Sequence, residues 1–106
     1  MKRVITFGVF DLFHYGHLKL FQNIKKMCGP ETYLIVAVQK DEWVKKYKPQ
    51  TTVLYSLDQR MEIVSSLNVV DEVIPYTNVE DTIKTIEFDI FAKGPDQQNE
   101  KFNWGY

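Results

Sequence analysis

The sequence predicts an α/β fold, a doubly wound domain built around a parallel sheet. Two apolar runs, residues 3–7 and 33–38, are rich in β-formers and show no polar alternation, which is typical of strands buried on both faces. A stretch of helical spacing lies between them, and two strands joined through a helix pair in parallel by a right-handed crossover. Strand and helix patterns continue to alternate to about residue 92, which favours a doubly wound sheet.

The first two helices follow from the spacing of apolar residues and from the signals at their ends. Between about residues 16 and 28, apolar side chains recur at helical intervals, which indicates one apolar helix face; they are Leu20, Phe21, Ile24, Met27 and Cys28. Gly29 and Pro30 end this helix, because glycine favours the C-terminal turn and proline cannot continue the helix. A second, short helix is predicted over residues 41–47, before a polar, lysine-rich loop.

The second half of the chain supplies two further helices and two further strands. Ser56 and Gln59 form a capping box that begins a helix with the inward residues Leu57, Met61, Val64 and Leu67. Short strands are predicted over residues 72–75 and 88–92, and the helix between them is marked by Val79, Ile83 and Ile86. Residues 97–106 lack periodicity and are predicted to form a loop.

Length and composition favour one domain, residues 1–106, and exclude several classes of protein. The formal net charge of −1 argues against a nucleic-acid surface. The single cysteine, Cys28, excludes an internal disulfide, and its place on an apolar helix face predicts a buried, inert thiol. No run approaches the roughly 20 apolar residues of a membrane span, and the chain begins directly in a strand, without a signal peptide. We therefore expect a cytoplasmic protein that binds no membrane.

Residues 8–17, GVFDLFHYGH, carry the main functional signal, between the first strand and the first helix. Gly8 and Gly16 allow the backbone to approach a ligand closely. A helix N-terminus carries free N–H groups and partial positive charge, which attract phosphate. Two imidazoles, those of His14 and His17, add donors aimed at the same place. These features are typical of phosphoryl or nucleotidyl transfer, in which the protein positions the substrates and stabilises charge.

The same run resembles a known signature. Residues 14–17 match the H-x-G-H motif, and residues 8–12 the G-x-F-D-L motif, of the cytidylyltransferase branch of the nucleotidyltransferase superfamily. The similarity extends to about residue 96 and is greatest to the small glycerol-3-phosphate cytidylyltransferases. It implies a Rossmann-like nucleotide-binding domain with His14 and His17 as catalytic residues. It places a further set of residues at the nucleotide, namely Gly8, Val9, Phe10, Asp11 and Gly16.

The resemblance also implies roles for residues beyond the signature. Lys46 and Lys48, in and after the predicted short helix, match the catalytic loop lysines of the family. Arg60 is similar to an arginine that contacts the substrate phosphate or the nucleotide. Gly94 and Asp96 follow the last predicted strand and are similar to residues that lie near the cytidine.

Each assignment has a structural alternative. The two histidines could cap the helix, and as metal ligands they lack a third His or Cys. Asp11 either orients the loop, lies near Mg²⁺, or accepts backbone N–H bonds in a turn. The lysines could form a solvated face, Arg60 an exposed helix charge, and Asp96 an ordinary loop carboxylate.

The resemblance implies an enzyme that transfers CMP from CTP to a phosphorylated alcohol, with Mg²⁺ as cofactor, a homodimer as the assembly and glycerol 3-phosphate as the favoured acceptor. Val9 replaces the threonine usual in the glycerol-phosphate enzymes, which leaves phosphocholine and phosphoethanolamine open as acceptors. An adenylyltransferase of the FAD-synthetase type and a non-catalytic nucleotide-binding module are further alternatives. The late R-T-x-G-I-S-[ST]-T motif of the family is absent, so we expect the chain to be incomplete at its C-terminus.

Overall fold

The computed structural model describes residues 2–11, 13, 15–47 and 53–92. Within these residues, strands and helices alternate along the chain, which confirms the predicted α/β class. The elements are β1 (Arg3–Gly8), α1 (Tyr15–Cys28), β2 (Tyr33–Gln39), α2 (Asp41–Tyr47), α3 (Leu57–Ser65), β3 (Glu72–Tyr76), α4 (Val79–Thr85) and β4 (Ile90–Phe91).

The four described strands form one parallel sheet in the order β3-β2-β1-β4. β1 and β2 pair along their whole length, from Arg3 opposite Tyr33 to Gly8 opposite Val38. Because all of these strands run the same way, their carboxyl ends lie at one edge of the sheet. β2 and β3 are added in order on one side of β1, and β4 then pairs with the other side of β1. Ligands bind at such a reversal of strand order, and the loop after β1 carries the predicted signature.

Side chains of β1 and β2 alternate between two apolar cores, one on each face of the sheet. On one face α1 and α3 pack over the strands, and the fully buried residues there include Val4, Phe21, Leu34, Val36 and Val64. On the other face α4 packs over the strands, and the buried residues are Ile5, Phe7, Ile35, Ala37, Tyr76 and Phe91. The two central strands are therefore buried on both faces, as their continuous apolar runs predict.

The end of α1, the start of α3 and both ends of α2 lie where the sequence predicts them, whereas α3 and α4 end before Leu67 and Ile86, which the apolar spacing assigns to these helices. α1 ends at Cys28, and Gly29 then adopts a φ of 105° while its N–H donates to the Lys25 carbonyl at 2.9 Å. The Ser56 side chain accepts the Gln59 N–H, and the Gln59 side chain accepts the Ser56 N–H, which completes the predicted capping box. α2 has the predicted bounds.

Three further features differ from the sequence prediction. β4 comprises only two residues, although backbone hydrogen bonds to β1 flank it, from the Asp89 N–H to the Arg3 carbonyl at 2.7 Å and from the Ala92 N–H to the Ile5 carbonyl at 2.9 Å. Met27 is 85% exposed; it lies about 60° around the helix from Ile24 and so falls outside the buried stripe. Cys28 is partly rather than fully buried and packs against the core from the last turn of α1.

Asp71 forms a contact near the amino ends of β2 and β3 that responds to acid. Its carboxylate accepts hydrogen bonds from Lys25 Nζ at 2.8 Å and from the Leu34 N–H at 2.7 Å. Loss of surrounding water opposes ionisation, but the two donors outweigh it and hold the pKa of Asp71 below its usual value. The ionised carboxylate therefore stabilises the folded state more than the protonated acid does.

This shift predicts how stability changes with pH. A carboxyl group whose pKa is lowered by folding contributes fully above its unfolded pKa, about 4, and the contribution is lost as the pH falls through the folded pKa. We expect Asp71→Asn to lower Tm at pH 7, and the difference from the unmodified protein to shrink as the pH falls from about 4 towards 2. Thermal melting by circular dichroism across this range measures the difference. A Tm difference that is constant with pH would contradict the assignment.

Candidate functional site

The signature begins where β1 ends, and its backbone is strained. Phe10 has a φ of 53°, in the left-handed region that a bulky residue rarely adopts. Its buried ring folds back over Gly8, so that a Cβ at position 8 would lie 2.6 Å from Cζ of Phe10. The ring of Phe10 therefore requires glycine at position 8. The predicted approach of a phosphate to this backbone stays a prediction.

Two aromatic rings hold the imidazole of His17. His17 is the third residue of α1, and its ring centroid lies 5.2 Å from that of Phe10 and 5.2 Å from that of Phe13. Both phenylalanine rings also contact Phe21, at 5.4 Å and 5.9 Å between centroids, and Phe21 is fully buried. The half-buried imidazole is thus supported by side chains that continue into the core, as a preorganised donor requires. The other predicted histidine, His14, lies outside the described residues.

The start of α1 has positive electrostatic character. No acidic residue lies in its first turn, so neighbouring carboxylates do not offset the partial charge of the helix N-terminus. Gly16 is exposed in this turn, and Tyr15 is 69% exposed. Lys19 Nζ lies 5.4 Å from the centroid of the Tyr15 ring and adds a cation beside it. These features favour an anion at this end of the helix.

Asp11 joins the signature loop to the segment before α3. Its two carboxylate oxygens accept the N–H groups of Leu54 and Tyr55, each at 2.8 Å. Of the roles open to it from sequence, the structure thus displays acceptance of backbone N–H bonds, here across 43 and 44 residues of chain. A role for Asp11 beside Mg²⁺ stays a prediction.

Arg60 is fully buried in the first turn of α3. Its Nη1 donates to the carbonyls of Val9 and Gln39 at 2.9 Å and 2.8 Å, its Nε donates to the Tyr55 carbonyl at 3.1 Å, and its Nη2 pairs with Asp41. The alternative that Arg60 is an exposed helix charge is therefore wrong. Contact between Arg60 and a substrate phosphate stays a prediction, and all three guanidinium nitrogens bind protein acceptors in this structure.

The predicted lysines lie on and after α2. Lys45 and Lys46 are exposed in its last turn, and Lys46 Nζ lies 4.4 Å from the centroid of the partly buried Trp43 ring. This cation–π contact holds Lys46 against the helix. Three other predicted site residues, Lys48, Gly94 and Asp96, fall outside the described part of the chain.

Among the described residues, no group of three or more His, Cys, Asp or Glu side chains could hold a metal ion. Mg²⁺ is usually bound through substrate phosphates with only one or two protein carboxylates, and the Mg²⁺ that the resemblance implies stays a prediction. In the same part of the chain, no helix has the length and apolar character needed to cross a membrane.

Sequence reasoning did not identify Phe13, Gln39 or Asp41 as parts of this arrangement. Phe13, His17 and Phe21 are spaced four residues apart, which is the signal that could have revealed the support of the imidazole. The contacts of Arg60 with Gln39 and Asp41 span 21 and 19 residues, and no local sequence pattern predicts them.

Comparison with known proteins decides the family. Residues 5–104 match the family model described as cytidylyltransferase-like. The chain belongs to the cytidylyltransferase-like family. It is 38% identical over 104 residues to the glycerol-3-phosphate cytidylyltransferase of Staphylococcus aureus, and the match covers 94% of this chain and 74% of that one. Cytidylyltransferases are nucleotidyltransferases, so this cytidylyltransferase-like protein is an enzyme of that class.

Two further similarities show how broad the superfamily is. This cytidylyltransferase-like protein is 37% identical to the FAD synthase of Methanopyrus kandleri over 98 residues, which cover 91% of this chain and 64% of that one. Its fold is similar to the crystal structure of the lipopolysaccharide core biosynthesis protein from Thermoplasma volcanium. That match has a TM-score of 0.73 at 29% identity and covers 86% of this chain and 72% of the solved one.

Proposed function

We propose that this protein transfers CMP from CTP to a phosphorylated alcohol, with glycerol 3-phosphate as the preferred acceptor. The observation that carries the proposal is the position of the segment 8–17 at the carboxyl end of β1, with His17 fixed beside the N-terminus of α1. The similarity to a glycerol-3-phosphate cytidylyltransferase over most of the chain supports the choice of nucleotide and acceptor.

The proposed reaction is an in-line displacement at phosphorus. A phosphate oxygen of the acceptor attacks the α-phosphorus of CTP, and the bond from that phosphorus to the oxygen that bridges to the β-phosphate breaks. The products are a CDP-alcohol and pyrophosphate, and no covalent enzyme intermediate is required. Catalysis then depends on orienting the two phosphates and on stabilising the charge that develops between them.

The described residues are suited to that task. The imidazole of His17 is held by aromatic contacts and lies in the first turn of α1, and the partial positive charge of a helix N-terminus attracts phosphate. We propose that His17 and His14 donate hydrogen bonds to the reacting phosphates, and that Lys46 and Lys48 supply positive charge from the following segment. Mg²⁺, bound to the phosphates of CTP, would neutralise part of their charge.

The nucleotide is proposed to lie across the carboxyl edge of the sheet, near the backbone of residues 8–11 and Gly16. β4 pairs with β1, Val4 opposite Ile90 and Ile5 opposite Phe91, so the two strands end at the same edge. Gly94 and Asp96 follow β4 in sequence, and we propose that they contact the cytidine. This arrangement would use the reversal of strand order between β1 and β4 as the binding crevice.

The function is tested by measuring pyrophosphate release from CTP with a panel of acceptors. We expect glycerol 3-phosphate to give the fastest release, phosphocholine and phosphoethanolamine slower release, and glycerol none, because glycerol lacks the attacking phosphate. A CTP reaction without acceptor controls for hydrolysis. If phosphocholine or phosphoethanolamine is preferred, the acceptor assignment is wrong and the cytidylyl transfer stands. If CTP is unreactive with every acceptor, the proposed function is wrong.

Adenylyl transfer is the second candidate, because the chain is 37% identical to an FAD synthase. A site that hydrogen-bonds the edge of a base rejects an analogue that leaves buried polar groups unpaired, so CTP and ATP should differ clearly. Isothermal titration with each nucleotide separates the candidates. Tighter binding of CTP supports cytidylyl transfer, and equal or tighter binding of ATP supports adenylyl transfer.

A further inference from the structure

We infer that Arg60 and Asp11 are positioning residues that fix both ends of the lysine segment against the signature loop. The lysine segment is residues 42–53, which carry Lys45, Lys46 and Lys48, and the signature loop is residues 9–14. This inference rests on the proposed function, because it concerns how the catalytic groups of that reaction are held. It gives Arg60 a role that requires no contact between its guanidinium and substrate.

The guanidinium of Arg60 joins three separate stretches of the chain through three backbone carbonyls and one carboxylate. Just before the lysine segment it contacts the Gln39 carbonyl and the Asp41 carboxylate. Just after that segment it contacts the Tyr55 carbonyl, and in the signature loop it contacts the Val9 carbonyl. One planar group of fixed shape therefore determines how the carboxyl ends of β1 and β2 and the residues before α3 lie relative to one another.

Asp11 makes the second connection between the signature loop and the end of the lysine segment. Its carboxylate accepts the N–H groups of Leu54 and Tyr55, while the carbonyl of Tyr55 accepts from Arg60. Tyr55 is thus held through both its amide N–H and its carbonyl, by residues from the signature loop and from α3. The residues that flank the lysine segment on both sides are therefore held against the signature loop and α3.

The burial of Arg60 argues that it serves geometry rather than stability. Its side chain has 0% exposure, whereas its only ionic partner among the described residues, Asp41, is 45% exposed. A buried ion pair is often no more stabilising than well-packed apolar residues, and the same helix presents Met61 and Val64 to the apolar core. A guanidinium can bind several carbonyls at fixed angles, which an apolar side chain cannot do and a lysine can do only in part.

The inference is tested by comparing Arg60→Met with a matched control, Lys25→Met. Lys25 is also a helix cation that binds one carbonyl, that of Thr32, and one aspartate, Asp71, but it lies near the amino ends of the strands. Hydrogen–deuterium exchange is followed in peptides that contain Leu54 and Tyr55, with each protein held equally far below its own Tm. We expect exchange there to rise about tenfold or more in Arg60→Met and to stay within about twofold in Lys25→Met.

Steady-state kinetics distinguish a positioning role from a purely structural one, because only the positioning role predicts a lower kcat with little change in KM. We expect Arg60→Met to lower kcat about 10- to 100-fold, since small misplacement of catalytic groups is costly, while KM for CTP changes less than about threefold. Arg60→Lys should recover part of kcat, and Lys25→Met should leave it unchanged. Should Arg60→Met fail to fold, Asp11→Asn replaces it, and exchange at Leu54 and Tyr55 should rise in the same way.

Two outcomes would overturn the inference. The first is an exchange rate at Leu54 and Tyr55 that is no higher in Arg60→Met and Asp11→Asn than in Lys25→Met. The second is an Arg60→Met protein whose KM rises while kcat is unchanged, which would indicate direct contact with substrate. Hydrogen–deuterium exchange is measured without any reaction. If the unmodified protein transfers nothing from CTP, the proposed function is refuted, and the exchange rates at Leu54 and Tyr55 still decide the positioning role.

Discussion

Replacing His17 with alanine should lower kcat for CMP transfer on the order of 100-fold or more. In the proposed reaction, the imidazole held between Phe10 and Phe13 would donate to charge that grows in the transition state, and it would stabilise the bound ground state less. KM for CTP should therefore change much less than kcat. His14→Ala is expected to have an effect of the same size. Steady-state kinetics and the Tm of each variant measure these effects.

The control for His17→Ala is His17→Gln, which keeps an N–H donor and a planar end group. It should retain more activity than alanine, because part of the hydrogen bond survives. His17 is half-buried at the start of α1, so both variants should remain folded with a modest loss of Tm. A kcat near normal in His17→Ala would refute the catalytic role. Loss of folding would instead favour a purely structural role for the residue.

Replacing Gly8 with alanine should both destabilise the protein and reduce turnover more than tenfold. The added Cβ would lie 2.6 Å from Cζ and 2.7 Å from Cε2 of Phe10, whose ring is 5% exposed. Overpacking of this kind typically costs about 1–3 kcal/mol. Displacement of the Phe10 ring would also remove one of the two rings that hold His17. Chemical denaturation and steady-state kinetics measure the two effects.

Gly29→Ala is the matched control for Gly8→Ala. Gly29 has a φ of 105°, but a Cβ there would meet no atom within 4 Å. The substitution therefore introduces backbone strain of about 1–2 kcal/mol without a collision, and it lies after α1, far along the chain from Gly8. It should lower stability and leave kcat unchanged. If Gly8→Ala proves as active as Gly29→Ala, the requirement for glycine at position 8 is refuted.

The elements of this fold could be predicted because their signals are local. The run Tyr33–Val38 is short, apolar without alternation and rich in β-formers, which is typical of a strand buried on both faces. Ser56 and Gln59 reveal a helix start because the two side chains bind each other's backbone N–H groups within one turn. The length of β4 depends on its pairing with β1, which is not a local signal, and there the sequence predicts too long an element.

The site could be predicted only in part. The residue types that indicate its chemistry are adjacent in sequence, whereas the contacts that fix its geometry join residues far apart in sequence. The segment 8–17 joins β1 to the start of α1, and its glycines and histidines at a helix N-terminus are enough to indicate phosphate chemistry. The burial of Arg60 depends on acceptors that come from β1, β2 and α2, and the sequence could not place these beside one helix turn. The same limit explains why the contact of Phe10 with Gly8 was not foreseen: it depends on a left-handed φ at Phe10.

The most direct test of the proposed function is a ³¹P NMR time course of the protein with Mg²⁺, glycerol 3-phosphate and either CTP or ATP. With CTP, we expect pyrophosphate and the diphosphate diester of a CDP-alcohol to appear in equal amounts, with no CMP. With ATP, formation of the corresponding diester should be at least tenfold slower. Pyrophosphate accompanied by CMP would mean hydrolysis rather than transfer, and faster diester formation from ATP than from CTP would contradict cytidylyl transfer outright.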